Sequence, residues 1–159
     1  MKIVIRSIRK DFLLKVRDAG LDDQHQKIVR IIASGGEPCR DVLRRAMPDE
    51  ELILASYCPF TVAGPYKEYG PVFVLASPSI EFVDYQSLPL PKGSQTDYLR
   101  DQPFVLRAYS KAENIVAAEL LEPSSAQEVL RKMFENSQVE FVLARYAAYG
   151  CYSFRIERE

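Results

Sequence analysis

Only one stretch of this chain carries a sustained helical period. Ala126, Val129, Leu130, Met133 and Phe134 fall at i, i+3, i+4, i+7 and i+8, the apolar stripe of an amphipathic helix. Ser125-Ala126-Gln127-Glu128 has the form of a capping box, in which hydroxyl and carboxylate satisfy reciprocal backbone donors. Glu128 and Lys132 form an i,i+4 pair away from the stripe, and Asn136 can end the helix. Elsewhere the apolar runs are short, β-branched or alternating, and they read as strands. A doubly wound parallel sheet is disfavoured, because strands and helices do not alternate.

The strand-like segments are residues 2–8, 28–33, 51–57, 71–75, 104–109, 115–121, 139–147 and 151–158. Residues 28–33 (Ile-Val-Arg-Ile-Ile-Ala) are rich in β-branched side chains and read as a buried strand. Residues 11–19 suit a short helix with Asp11 as its cap and Gly20 as a left-handed stop. Seven of the ten prolines lie between Pro59 and Pro103. Residues 77–101 show no period, and an irregular loop of that length is either functional or mobile. The expected fold is α+β: one domain over 1–159, with a mainly antiparallel sheet of about eight strands. A clear C-terminal helix and a short N-terminal one complete it.

The 21 Lys and Arg nearly balance the 22 Asp and Glu, for a net charge of -1. This removes the main electrostatic basis for nucleic acid as a partner, since duplex affinity rests largely on phosphate neutralisation. No apolar run approaches the ~18 residues of a membrane span. The N-terminal apolar stretch is cut at Arg6, short of the roughly 7–15 residues of a secretory signal. Cys39, Cys58 and Cys151 are odd in number and contain no CxxC pair, which argues against a disulfide framework and structural zinc. A reducing cytoplasm is the expected compartment, with no membrane partner. Phosphate-loop, dinucleotide, zinc-protease and nucleophile-elbow patterns are absent, so no cofactor and no metal is expected. The single histidine, His25, lies in a polar stretch and reads as an exposed imidazole, which disfavours histidine-assisted Ser or Cys catalysis.

Four features carry chemistry. Cys39 follows Gly35-Gly36-Glu37-Pro38 and precedes Arg40, with Arg44 and Arg45 close behind. Nearby guanidinium groups would draw a thiol below its free value of ~8.5 and make Cys39 a candidate nucleophile. The competing reading is a small buried hydrophobe. Gly64-Pro65 and Gly70-Pro71 bracket Tyr66, Lys67, Glu68 and Tyr69, a stiff loop that presents aromatics or simply connects two strands. Arg107 and Tyr109 share one face of an otherwise apolar strand. If buried, Arg107 needs a partner: a carboxylate such as Glu68 or Glu119, or a bound anion. Gly150-Cys151 reads as a tight turn with a positive φ at glycine.

In chain order, Pro38-Cys39-Arg40, the 51–57 strand, Gly64-Pro65-Tyr66 through Gly70-Pro71-Val72-Phe73-Val74, Arg107-Ala108-Tyr109 and Gly150-Cys151-Tyr152 with Arg155 form a set. Over nearly the whole chain this set resembles the bacterial domain of unknown function family 1203. The resemblance implies a single, mostly free-standing domain and supplies no activity. Histidines that the family pattern carries near Pro59 and before the Gly-Cys turn are absent here.

Two functions follow from these residues. One is binding of a small anionic molecule, a carboxylate or phosphate, in a pocket that gathers Arg40, Tyr57, Tyr66, Arg107, Tyr109 and Cys151. Cys39 is then the candidate catalytic group, and whether the protein is an enzyme stays open. The other is a non-enzymatic interaction or self-associating module, monomer or homodimer, using the Tyr66 and Tyr69 loop or an open sheet edge. The same residues would then be structural.

Overall fold

The expected strands form, but they divide between two sheets. The computed structural model describes residues 1–159. Its strands are β1 (Ile3–Arg6), β2 (Val29–Ile32), β3 (Pro38–Cys39), β4 (Arg44–Arg45), β5 (Glu51–Tyr57), β6 (Gly70–Leu75), β7 (Phe104–Tyr109), β8 (Ile115–Leu121), β9 (Phe141–Tyr146) and β10 (Tyr152–Arg158). One sheet runs β1-β10-β9-β7-β8 and the other β2-β5-β6-β3-β4. Every pairing is antiparallel except the short contact of β3 with β6, at Cys39 and Phe73. The fold is α+β and mostly antiparallel, with ten strands where about eight are readable. The extra two, β3 and β4, have two residues each, too few to show a period.

Alternation in β7 explains the layering. Phe104, Leu106 and Ala108 face helix α2 (Ala126–Glu135), whose buried stripe is Ala126, Val129, Leu130, Met133 and Phe134. Tyr109, with Phe141, Leu143 and Tyr152, faces the second sheet through Ile53, Ala55, Val72 and Val74. The central strand β9 is thus covered on both faces and is buried over Phe141–Arg145. Each large apolar side chain so enclosed contributes roughly 1.5–3 kcal/mol.

Several local expectations are corrected. Ser125 has helical φ and ψ (−95° and −2°) at the end of a 3-10 turn, Pro123–Ser125. Its hydroxyl therefore turns back and donates to the Glu122 carbonyl at 3.0 Å, so the capping box does not form. Glu128 pairs instead with Lys132 at 2.7 Å. Near the N-terminus, α1 (Lys10–Leu14) widens into a π turn, Lys15–Ala19. Arg9 and not Asp11 takes the cap position, and the Asp11 carboxylate accepts from Arg9 Nη1 at 2.9 Å. Gly20 does stop this segment, at φ +67°.

Strand β2 is not buried. It forms an edge of the second sheet, and Val29 and Ile32 are exposed because nothing covers their faces. Residues 77–101 have no regular structure, yet Leu88, Tyr98 and Leu99 enter the core beneath α2. Tyr98 Oη donates to the Ser153 carbonyl at 2.9 Å. Asp97 accepts from Lys92, Gly93 and Ser94 backbone N–H groups at 2.6, 2.7 and 2.9 Å. Side chain-to-backbone bonds replace a strand ladder there. No helix is long and apolar enough to cross a membrane.

Candidate functional site

The sequence-predicted site residues do not converge on one pocket. Arg40 and Cys151 do meet. Arg40 follows β3 and is 1% exposed. It donates from Nε to the Tyr152 carbonyl (2.9 Å), from Nη1 to the Pro38 carbonyl (2.8 Å) and from Nη2 to Cys151 Sγ (3.2 Å). Its guanidinium also lies 5.3 Å from the Tyr146 ring centroid. These acceptors belong to two sheets, so Arg40 stitches β3 to the β9–β10 turn. Its bonds go to carbonyls and a sulfur, with no carboxylate among them.

Cys39 points elsewhere, into a small cluster with Ala33, Val42, Ala46, Leu52 and Leu75. Burial, reinforced by the Asp41 charge, pushes its thiol up to about 12. The neighbouring arginines pull the other way but lose. Arg44 is already committed to Glu50 at 2.8 Å and to Glu81 at 2.7 Å. The arginines thus do not draw the Cys39 thiol down, and of the two readings of Cys39 the small buried hydrophobe is the one its surroundings fit.

Tyr109 is also core, stacked on Phe141 at 5.2 Å and edge-on to Phe60 at 5.3 Å. Tyr66 is exposed on the β5–β6 connection. Arg107 is half-buried and pairs with Glu68 at 3.6 Å, the partner type its strand position demands; Arg145 holds the same carboxylate oxygen. Arg145, buried in β9, carries no signal of this role in the sequence.

Tyr57 alone lies beside an open cavity. It packs between Phe12 (4.8 Å) and Tyr152 (5.0 Å), and burial raises its phenol. The cavity, of about 590 Å³, lies between the β1–α1 segment and β10. Tyr57, Tyr85 and Tyr152 supply aromatic wall, while Arg6, Arg9, Lys10 and Arg155 supply cations and Asp41 and Glu157 carboxylates.

Two of these groups are already occupied. Arg9 donates to Asp11 at 2.9 Å and Asp23 at 2.6 Å. Asp41 accepts from Arg17 Nη2 at 2.7 Å and the Leu75 N–H at 3.2 Å, and burial raises its carboxyl. The others are underused. Arg6 and Arg155 face each other across the β1–β10 register. Both reach Glu157 through Nε alone, at 3.1 and 2.6 Å, leaving their Nη groups without a protein acceptor. Burial would raise the Glu157 carboxyl, but the two guanidinium groups outweigh it and hold it below the usual range. Lys10 is exposed at the rim. No group of three or more His, Cys, Asp or Glu is placed to hold a metal ion.

Arg155 lay within the family-like fragments, but Arg6, Lys10 and Glu157 carried no such signal. They meet only because β1 pairs with β10, joining opposite ends of the chain.

Residues 36–158 match a family model described as a protein of unknown function, DUF1203. The chain belongs to that family. No curated protein and no solved structure matches it. The DUF1203 match takes in β3 to β10 and α2, hence Tyr57, Tyr152, Arg155 and Glu157. Arg6, Arg9 and Lys10 precede its first matched residue, so the cavity has one wall inside the family match and one outside it.

Proposed function

We propose that this DUF1203 protein binds a small anion, a carboxylate or a phosphate, in the cavity between β1–α1 and β10. One observation carries the reading: two register-paired arginines share a single carboxylate and keep their Nη donors free. Setting aside the committed Arg9 and Asp41, the cavity lining holds three cations, Arg6, Lys10 and Arg155, against the one carboxylate of Glu157, an excess of two positive charges; the Arg155 guanidinium also lies over the Phe141 ring, 3.5 Å from its centroid. Guanidinium Nη groups suit carboxylate and phosphate oxygens, which they can hold in pairs. The tyrosines offer wall for an apolar ligand body. Cys39 has no part in this reading. The three free cysteines fit a reducing, cytoplasmic compartment.

Calorimetric titration with inorganic phosphate and with benzoate tests it. Saturable binding of at least one is expected. Arg6→Gln and Arg155→Gln should each weaken it by about 10-fold or more, the scale of one charge-assisted hydrogen bond. No saturable binding of either probe by the wild-type protein, or wild-type affinity in the double variant, overturns the assignment.

A second reading has its own observation. Strand β2 is an open edge with Val29 and Ile32 exposed, a surface able to pair with another strand. Light scattering decides it: a dimer that Ile32→Lys makes monomeric supports self-association, and a wild-type monomer at high concentration removes it.

A further inference from the structure

The connection from β5 to β6 is a strap with a single tie along most of its length. Residues 61–69 are all exposed. The start is anchored: the Thr61 and Val62 N–H groups donate to the Glu113 carboxylate at 3.0 and 2.8 Å. From residue 63 to 69 the only backbone bond is internal, from the Lys67 N–H to the Gly64 carbonyl at 3.2 Å. Gly64 and Gly70, at the two Gly-Pro pairs, have open space around them. One side chain, Glu68, links this stretch to the body.

Glu68 lands on an uncommon receptor. Its Oε1 accepts from Arg145 Nη2 and lies 3.6 Å from Arg107 Nη1. The Arg145 side chain is only 6% exposed, whereas Glu68 is 46% exposed. Arg145 Nη1 donates to the Gly150 carbonyl at 3.0 Å, and its buried Nε has no partner. A buried cation on a rigid central strand thus takes its counter-charge from an exposed, lightly held loop. Left unpaired, a buried charge is strongly unfavourable, so this position favours a carboxylate for as long as it stays closed to water.

We propose that Arg107 and Arg145 form a carboxylate-binding site whose resident occupant is Glu68, and that an external small carboxylate replaces Glu68 as the strap lifts. This site is separate from the β1–β10 cavity, whose lining includes neither arginine. Tethered at short range, Glu68 competes at an effective concentration on the order of millimolar. External carboxylates therefore bind the wild-type protein weakly, and neutralising Glu68 exposes the intrinsic affinity. Tyr66, Tyr69 and Tyr149, all exposed, would then distinguish ligands by what the carboxylate is attached to.

The test uses succinate at constant ionic strength, in the Arg6→Gln/Arg155→Gln background so that the cavity cannot contribute. Calorimetry should show Glu68→Gln binding succinate at least 10-fold more tightly than its Glu68 parent, with Arg107→Gln removing the gain. In parallel, trypsin cleavage after Lys67 should accelerate saturably as succinate is added to wild-type protein. Equal succinate affinity with and without Glu68, or Lys67 cleavage indifferent to succinate, overturns the proposal. Should Glu68→Gln lose its cooperative thermal transition, the trypsin titration of wild-type protein decides alone.

Discussion

Two places in this molecule share one stoichiometry, a pair of arginines on a single glutamate, and differ in where the glutamate comes from. At the β1–β10 cavity Glu157 stands two residues from Arg155 on the same strand, in register with Val4. Its position is set by the sheet ladder, so it neutralises the pair partly and permanently. At the strap, Glu68 arrives from an exposed loop whose residues 63 to 69 make no other hydrogen bond or ion pair to the body. Its presence depends on the loop staying down. The first arrangement leaves donors free beside a resident carboxylate; the second fills its receptor with a carboxylate that can leave. How an acid is tethered, and not how many arginines surround it, separates the proposed standing anion site from the proposed occupied one.

A fifth arginine sets the scale against which both pairs are read. Arg40 is fully buried and satisfied by two carbonyls and a sulfur, with no acid to gain or lose. Replacing it with methionine leaves the Tyr152 and Pro38 carbonyls without their donor and parts β3 from the β9–β10 turn. Loss of several such bonds should cost about 3–5 kcal/mol in urea unfolding. A loss below about 1 kcal/mol would mean that Arg40 is held no more firmly than the cavity arginines, and the contrast between structural and available arginines would fail.

The sequence discloses these three arginine sites unequally. Arg107 announces its need for an acid, because a charge inside an apolar strand must be answered, and Glu68 is the answer. The strands over 51–57, 104–109 and 115–121 and the stripe of α2 are legible for a related reason: period and burial coincide. Where they separate, reading from composition fails. The β-branched run of β2 reports strand preference, but whether an edge is covered depends on the rest of the fold. Ser125 carries a cap's side chain, yet Pro123 starts a tight turn that sends its hydroxyl backward. Cys39 sits among arginines in sequence and among aliphatic groups in space, since only the parallel contact with β6 decides which way β3 faces. The Arg6–Glu157–Arg155 group depends on a register between the two ends of the chain, which no local pattern encodes.

The cavity pair can be sharpened by pH. Glu157 has a folded-state pKa held below its unfolded value of ~4.3. It therefore contributes stability that is present above about pH 4.3 and lost as pH falls through the folded value. Glu157→Gln should flatten this part of the acid limb and remove about 1 kcal/mol at pH 7, a figure already reduced for solvent screening. The same variant should tighten phosphate binding at the cavity, because the resident negative charge is gone. Unchanged acid stability together with unchanged phosphate affinity would show that Glu157 is a bystander to both arginines.

The smallest expected effect is the most discriminating. Breaking a buried ion pair from one side ordinarily costs 3–5 kcal/mol, since the remaining charge is stranded. Glu68→Gln removes the acid from a buried arginine, yet no other hydrogen bond or ion pair holds residues 63 to 69 to the body. Once released it lifts, water reaches the guanidinium, and the stranded charge is relieved. The loss in urea unfolding should then be about 1 kcal/mol or less, the range of exposed pairs, while trypsin cleavage after Lys67 rises by about 10-fold. A loss of 3 kcal/mol or more without faster cleavage would mean that the strap stays closed over an unpaired arginine. Glu68 would then be as fixed as Glu157, and the difference between the two sites would disappear.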